Sequence, residues 1–135
     1  MLILCCGNPD RGDDAAGPLV AARLNARVVA PLDLLEAWAG APDVIVVDAV
    51  VSGAPPGTVT VWEAGQLSAI PSRGGTHSLG LAEAVGLAQA LGKLPERLRI
   101  YGIEARSFAG GAPPSPEVLA AVERVVQEIA CMSPR

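Results

Sequence analysis

Four consecutive apolar residues, Val-Ile-Val-Val at 44–47, constrain the fold of this chain more than any other segment. A strand with one face in water alternates apolar and polar residues, whereas this one is apolar and β-branched throughout. Such a strand belongs at the centre of a parallel sheet that is covered by helices on both faces. Asp48 follows directly, so an acid stands where the predicted strand ends.

The amino-terminal segment has the same arrangement. Residues 2–6 (LILCC) are a short apolar run closed by a glycine, and they predict a second buried strand. A polar turn then leads to two adjacent acids, Asp13 and Asp14, and to a helical pattern that ends at Leu24. Pro18 is tolerated only near the first turn of a helix, so we expect this helix to begin close to Asp14.

Strand and helix patterns alternate along the rest of the chain, which predicts an α/β fold. We expect a three-layer α/β/α sandwich with a mostly parallel, twisted sheet of about five strands. Residues 1–135 are expected to form a single domain. The remaining predicted elements are strands at 28–30, 58–62 and 98–103, the second of them half-buried or at an edge, and helices at 32–38, at 78–91 and from Ser115 to the end.

The predicted topology brings acids from two segments to one edge of the sheet. Right-handed crossovers place the ends of the strands at 2–6 and 44–47 at the same edge. Ligands of open α/β sheets bind beyond the carboxyl ends of the strands. We therefore expect Asp14 and Asp48 to lie at a common site, with Asp13 as a plain acid at a helix start. Glu104 is a further candidate for the same site.

His77, the single histidine, precedes the predicted helix at 78–91. A helix N-terminus disfavours an added positive charge, so an imidazole there tends to stay neutral, which is the form that binds a metal. Two carboxylates and one imidazole form a mixed oxygen and nitrogen set. Such a set suits Ni, Zn, Mn or Fe better than Ca. A solvated loop histidine is the alternative interpretation.

Composition excludes several classes of function. The net charge of −4, without a cluster of Lys and Arg, argues against nucleic-acid binding. No apolar stretch approaches the ~20 residues of a membrane span, and no basic leader precedes the first strand. We therefore expect a cytoplasmic protein. Aromatic residues make up only 3% of the chain, which leaves few for an exposed interface and favours a monomer.

Several motifs that are typical of known enzyme classes are missing from the sequence. The segment GNPDRG is not a dinucleotide-binding GxGxxG, and neither a phosphate-binding P-loop nor the GxSxG of serine hydrolases occurs. The three cysteines have no CxxC spacing. Cys5 and Cys6, adjacent in a predicted strand, are expected to be small core residues that face opposite sides of the sheet.

Five segments of the chain form a recognisable series. They are GNPDRGDDAAGP at 7–18, VIVVDA at 44–49, THSLGL at 76–81, YGIE at 101–104 and SPEV at 115–118. Taken together, they resemble the [NiFe]-hydrogenase maturation proteases. The first looks like the amino-terminal signature of that family, GN-x4-D-[DE]-x-x-G, and the others are similar to its later segments in the same order along the chain.

The resemblance implies an endopeptidase with the same α/β/α fold. Such enzymes remove the C-terminal extension of a [NiFe]-hydrogenase large-subunit precursor after nickel insertion. Their metal-binding and catalytic trio falls on Asp14, Asp48 and His77, and the nickel is carried by the precursor and recognised there, not permanently bound by the protease. Hydrolysis by a metal-activated water and by a carboxylate acting as general base both stay open.

Two other functions are compatible with the sequence. One is a non-catalytic docking domain of the same fold, and the other is a free-standing metallopeptidase acting on small peptides. The chain also departs from the family pattern, since Cys5 replaces a usual glycine and residues 25–40 lack the Gly-Thr-rich loop. That loop lies near the substrate cleft in the family, so we expect differences in substrate recognition.

Overall fold

A computed structural model describes residues 1–72 and 80–132. The strands are β1 (Leu2–Cys5), β2 (Arg27–Val28), β3 (Asp43–Val50), β4 (Val59–Trp62) and β5 (Arg97–Glu104), and the α-helices are α1 (Ala16–Leu24), α2 (Leu34–Ala37), α3 (Leu81–Ala90) and α4 (Pro116–Met132). Within these residues the sheet has five strands in the order β2-β1-β3-β5-β4. Among the pairings described there, β4 with β5 is antiparallel and the others are parallel.

Alternate side chains of β3 face two different helical layers. Ile45 and Val47 pack with α1 and α4, whereas Val44 and Val46 pack with α2 and α3, and all four are fully buried. The predicted three-layer sandwich with a mostly parallel sheet is therefore confirmed. Cys5, the last residue of β1, and Cys6, the residue after it, are buried in these two opposite layers, as expected.

The structure corrects the predicted end of the central strand. β3 continues through Asp48 to Val50, and Asp48 pairs with Gly102 of β5. The sequence prediction ended at Val47 because the apolar pattern stops there, but pairing with β5 carries the backbone further. β1 ends earlier, with Cys5 opposite Val47. Asp48 is thus the first residue of β3 beyond its pairing with β1.

Several helix boundaries also differ from prediction. The chain enters α1 through a 3-10 helix, Gly12–Ala15, and α2 through another at Pro31–Asp33. In the described chain α3 begins at Leu81, and the predicted start at residues 78–79 lies outside the described residues. None of the helices in residues 1–72 and 80–132 combines the length and apolarity needed to cross a membrane.

Two glycines allow α1 to pack directly on the end of β1. A Cβ atom added at Gly17 would lie 2.0 Å from the carbonyl oxygen of Cys6. At Gly7, where φ is +138°, an added Cβ would lie 2.1 Å from the carbonyl oxygen of Asp14. Because these neighbours are backbone atoms, no side chain can move away to make room. Both positions therefore require glycine.

Substitution by alanine should have opposite effects on stability at Gly17 in α1 and at Gly86 in α3. We expect Gly17→Ala to lower the free energy of unfolding by about 2 kcal/mol or more, since the added methyl group overlaps Cys6. At Gly86 in α3 an added Cβ meets nothing within 4 Å. Gly86→Ala should therefore raise the free energy of unfolding by about 0.5–1 kcal/mol. Urea unfolding of both variants measures this, and a Gly17→Ala variant as stable as wild type would contradict the contact.

Candidate active site

Asp48 is buried in the sheet at the carboxyl end of the β1 pairing, with 4% of its surface exposed. The Cys6 backbone N–H donates to the carbonyl of Val47 at 2.9 Å, which holds the end of β1 beside it. Opposite Asp48 on β5, the space that a side chain at Gly102 would need is filled by the ring of Trp62. Asp48 therefore lies beside the end of β1 and opposite a position of β5 that an indole ring covers, and it is largely shielded from water.

Asp14 lies on the 3-10 helix that follows β1, and 8% of its surface is exposed. Its Oδ2 accepts a hydrogen bond from the backbone N–H of Asn8 at 2.9 Å. The side-chain oxygen of Asn8 in turn accepts from the N–H of Asp10 at 2.9 Å, which organises the turn. These bonds hold the Asp14 carboxylate against the end of β1.

The structure thus places Asp14 and Asp48 at the same rim of the sheet. The third residue of the predicted trio, His77, lies outside the described residues. Within residues 1–72 and 80–132, no three His, Cys, Asp or Glu side chains are grouped closely enough to hold a metal ion. The described part of the chain supplies two carboxylates of the predicted set, and the roles of all three residues stay predictions.

Cys5 is a core residue beside this rim. Burial, together with the nearby charge of Asp48, raises the pKa of its thiol to about 12. A thiol with such a pKa stays protonated at neutral pH, and the protonated form is a poor nucleophile. Cys5 is therefore not a candidate nucleophile at this rim.

Asp13 has a larger structural role than the sequence indicated. Its carboxylate is 1% exposed and accepts backbone N–H bonds from Arg106, Ser107 and Ser115 at 2.7, 3.2 and 2.6 Å. The hydroxyl of Ser115 donates to both carboxylate oxygens, at 2.8 and 2.9 Å. Burial alone would raise the pKa of Asp13, but these hydrogen bonds outweigh it and lower that pKa below its usual value. No local sequence signal links residues so far apart.

Glu104, the further candidate, anchors the loop after β3. Its carboxylate accepts from the N–H and the hydroxyl of Ser52 at 2.8 and 2.6 Å, and from the N–H of Gly53 at 3.3 Å. Because Glu104 is also 3% exposed, these bonds offset the cost of burying its charge. Its contacts support a structural role at the end of β5.

Comparison with known proteins decides the family. The model of the HycI family, described as hydrogenase maturation protease, matches residues 29–131. This chain belongs to the hydrogenase maturation protease family. The matched span includes Asp48 and His77 but not Asp14, whose place at the rim rests on the structure. No curated protein matches the sequence.

Solved structures share the fold of this hydrogenase maturation protease. The hydrogenase maturating endopeptidase HybD from E. coli has 24% identity and a TM-score of 0.77, over 98% of this chain and 91% of that one. An endopeptidase from Escherichia coli has 25% identity and a TM-score of 0.75, over 97% and 91%. A [NiFe] hydrogenase maturation protease HycI from Thermococcus kodakarensis KOD1 has 26% identity and a TM-score of 0.73, over 96% and 90%. The protein is thus a peptidase with an α/β sandwich fold.

The hydrogen bonds of Asp13 predict a pH dependence of stability. Because the pKa of Asp13 is lowered in the folded state, its contribution is complete above the unfolded value of about 4 and disappears as the pH falls through the folded value. We expect the free energy of unfolding of wild type to exceed that of Asp13→Asn by about 1–3 kcal/mol at pH 6. The difference should shrink below about pH 4. Urea unfolding between these conditions measures it, and a difference independent of pH would contradict the assignment.

Proposed function

We propose that this protease removes the C-terminal extension of a [NiFe]-hydrogenase large-subunit precursor after nickel has been inserted. Asp14, Asp48 and His77 contact the nickel that the precursor carries and act at the scissile bond. The observation that carries this proposal is the pair of buried acids from separate segments, held at one rim of the sheet in a member of this family. We further propose that the protein acts as a cytoplasmic monomer.

The surroundings of the two acids suit the recognition of a cation. Both carboxylates are at least nine-tenths buried, so they attract a positive charge more strongly than acids in bulk water would. Carboxylate oxygens with one imidazole form a set that nickel accepts. Since the nickel arrives with the precursor, cleavage occurs only when the substrate presents it.

The position of α3 supports His77 as the third residue. Asp48 lies two positions from both Val46 and Val50 in β3, so it shares their face of the sheet. Both valines belong to the core layer that contains α3. His77 precedes the start of α3 at Leu81 by four positions in the sequence. The helix that follows His77 in the sequence therefore lies on the face of the sheet to which Asp48 belongs.

Hydrolysis at this rim requires a water molecule, a base and a proton donor. Water adds to the scissile carbonyl carbon while a base accepts its proton, and the C–N bond then breaks as the amine leaves with a proton. Either carboxylate can serve as general base, and a neutral imidazole can accept and return a proton. A water activated by the nickel of the precursor is the second route to the same nucleophile.

Cleavage of a nickel-loaded precursor tests the proposal directly. The mass of the precursor's C-terminal fragment is followed with wild type and with Asp48→Asn, Asp14→Asn and His77→Ala. We expect each variant to lose about 100-fold or more in cleavage rate, because each removes a group that contacts the reacting centre. Asp43→Asn is the matched control. Asp43 is the first residue of the same strand, at the end remote from the rim, and it forms an ion pair there with Arg99 at 3.4 Å.

The outcomes separate the alternatives. Retained cleavage by all three variants would overturn the site. If wild type binds the precursor but never shortens it, the protein is a docking domain. If wild type binds nickel tightly by itself and hydrolyses small peptides, it is a free-standing metallopeptidase. Cleavage of nickel-free precursor at the same rate would contradict recognition of the metal.

A further inference from the structure

We infer that Asp13 is a positioning residue of the protease, whose buried carboxylate sets the direction of Asp14 by binding the turn between β1 and α1 to residues 106–107 and to the start of α4. The inference rests on the function proposed above. It assigns to Asp13 a role that differs from that of its neighbour, since the Asp13 carboxylate is hydrogen-bonded to Arg106, Ser107 and Ser115.

The first step is the set of bonds that the Asp13 carboxylate makes. Oδ2 accepts from the backbone N–H groups of Arg106 and Ser107, and Oδ1 from that of Ser115. The Ser115 hydroxyl donates to both oxygens. All of these donors lie in the segment between β5 and α4 or at its end, so a single side chain joins two distant parts of the chain.

Backbone contacts join the same two parts of the chain. The N–H of Asp13 donates to the carbonyl of Ser107 at 2.9 Å, and the N–H of Gly111 donates to the carbonyl of Asp10 at 2.7 Å. Gly12 has φ of +55°, and an added Cβ would lie 2.7 Å from the Ser107 carbonyl oxygen. The turn that carries the two acids is thus seated closely against the segment from 107 to 111.

The geometry of a 3-10 helix connects Asp13 to Asp14. Both residues lie in the 3-10 helix Gly12–Ala15, in which neighbouring side chains point about 120° apart. When Asp13 is held in place, the direction in which the Cα–Cβ bond of Asp14 leaves the backbone is held as well. Asp13 points to the segment before α4, and Asp14 points to the N–H of Asn8 in the turn after β1.

The chemistry of Asp13 explains why a carboxylate is needed there. The backbone N–H groups and the hydroxyl that bond to the Asp13 carboxylate act as donors, and an ionised carboxylate only accepts. An asparagine would have the same size but would turn an NH₂ group towards N–H donors. Asp13→Asn should therefore shift the turn and redirect Asp14 while most of the fold is kept.

The experiment separates positioning from stability. kcat and KM for nickel-loaded precursor are measured for wild type, Asp13→Asn and Val125→Ala at a temperature where all are folded. Val125 is a fully buried residue of α4, so its truncation lowers stability away from the turn. We expect Asp13→Asn to lower kcat about 10- to 100-fold with KM within about threefold of wild type. Val125→Ala should leave both constants near those of wild type.

A graded variant and an activity-independent measurement complete the test. Ser115→Ala removes one donor but keeps the three backbone N–H groups, so kcat should fall less than in Asp13→Asn. Hydrogen exchange of the Asn8 amide, which donates to Asp14, reports the direction of that carboxylate. We expect this amide to exchange about tenfold faster in Asp13→Asn and unchanged in Val125→Ala.

The results distinguish a positioning role of Asp13 from a purely structural one. If Asp13→Asn loses no more kcat than Val125→Ala, and its Asn8 amide exchanges as in wild type, Asp13 is merely structural and the inference is overturned. If wild type does not cleave the precursor, the proposed function fails. Exchange of the Asn8 amide then decides on its own whether Asp13 orients Asp14.

Discussion

The backbone contact between α1 and the end of β1 is the constraint on which this site depends. Gly17 lies so close to the Cys6 carbonyl that no side chain fits between the helix and the strand. The short 3-10 helix is therefore confined to the space directly beyond β1, and Asp14 with it. Because β1 pairs in parallel with β3, the same space borders the point where Asp48 leaves that pairing.

Two of the buried carboxylates in this region, Asp13 and Glu104, bind loops to the framework of the fold. Asp13 and Glu104 accept several N–H and O–H bonds from loops distant in sequence, and they hold those loops in place. Asp14 and Asp48 lie at the same rim of the sheet, and their catalytic roles are part of the function proposed above. Burying a charge requires compensating interactions, which Asp13 and Glu104 find in the loops that they hold.

Much of this arrangement could be predicted from the sequence, and the limits have physical causes. The apolar run at 44–47 predicted a strand covered on both faces, and parallel topology then predicted that two acids share a rim. The extension of β3 through Asp48 could not be predicted, because it depends on pairing with β5 and not on residue type. The role of Asp13 was missed for a similar reason, since its partner Ser115 lies 102 residues further along the chain. His77 remains a prediction made from the sequence.

The separation between Asp13 and its partners has a consequence for how the protein matures during synthesis. The nearest of those partners, Arg106, lies 93 residues later, and the most distant, Ser115, immediately precedes α4. A nascent chain can pair its first strands long before that helix leaves the ribosome, but contacts of such range close late. The turn that carries Asp14 therefore reaches its final form only after Ser115 has been synthesised and has left the ribosome.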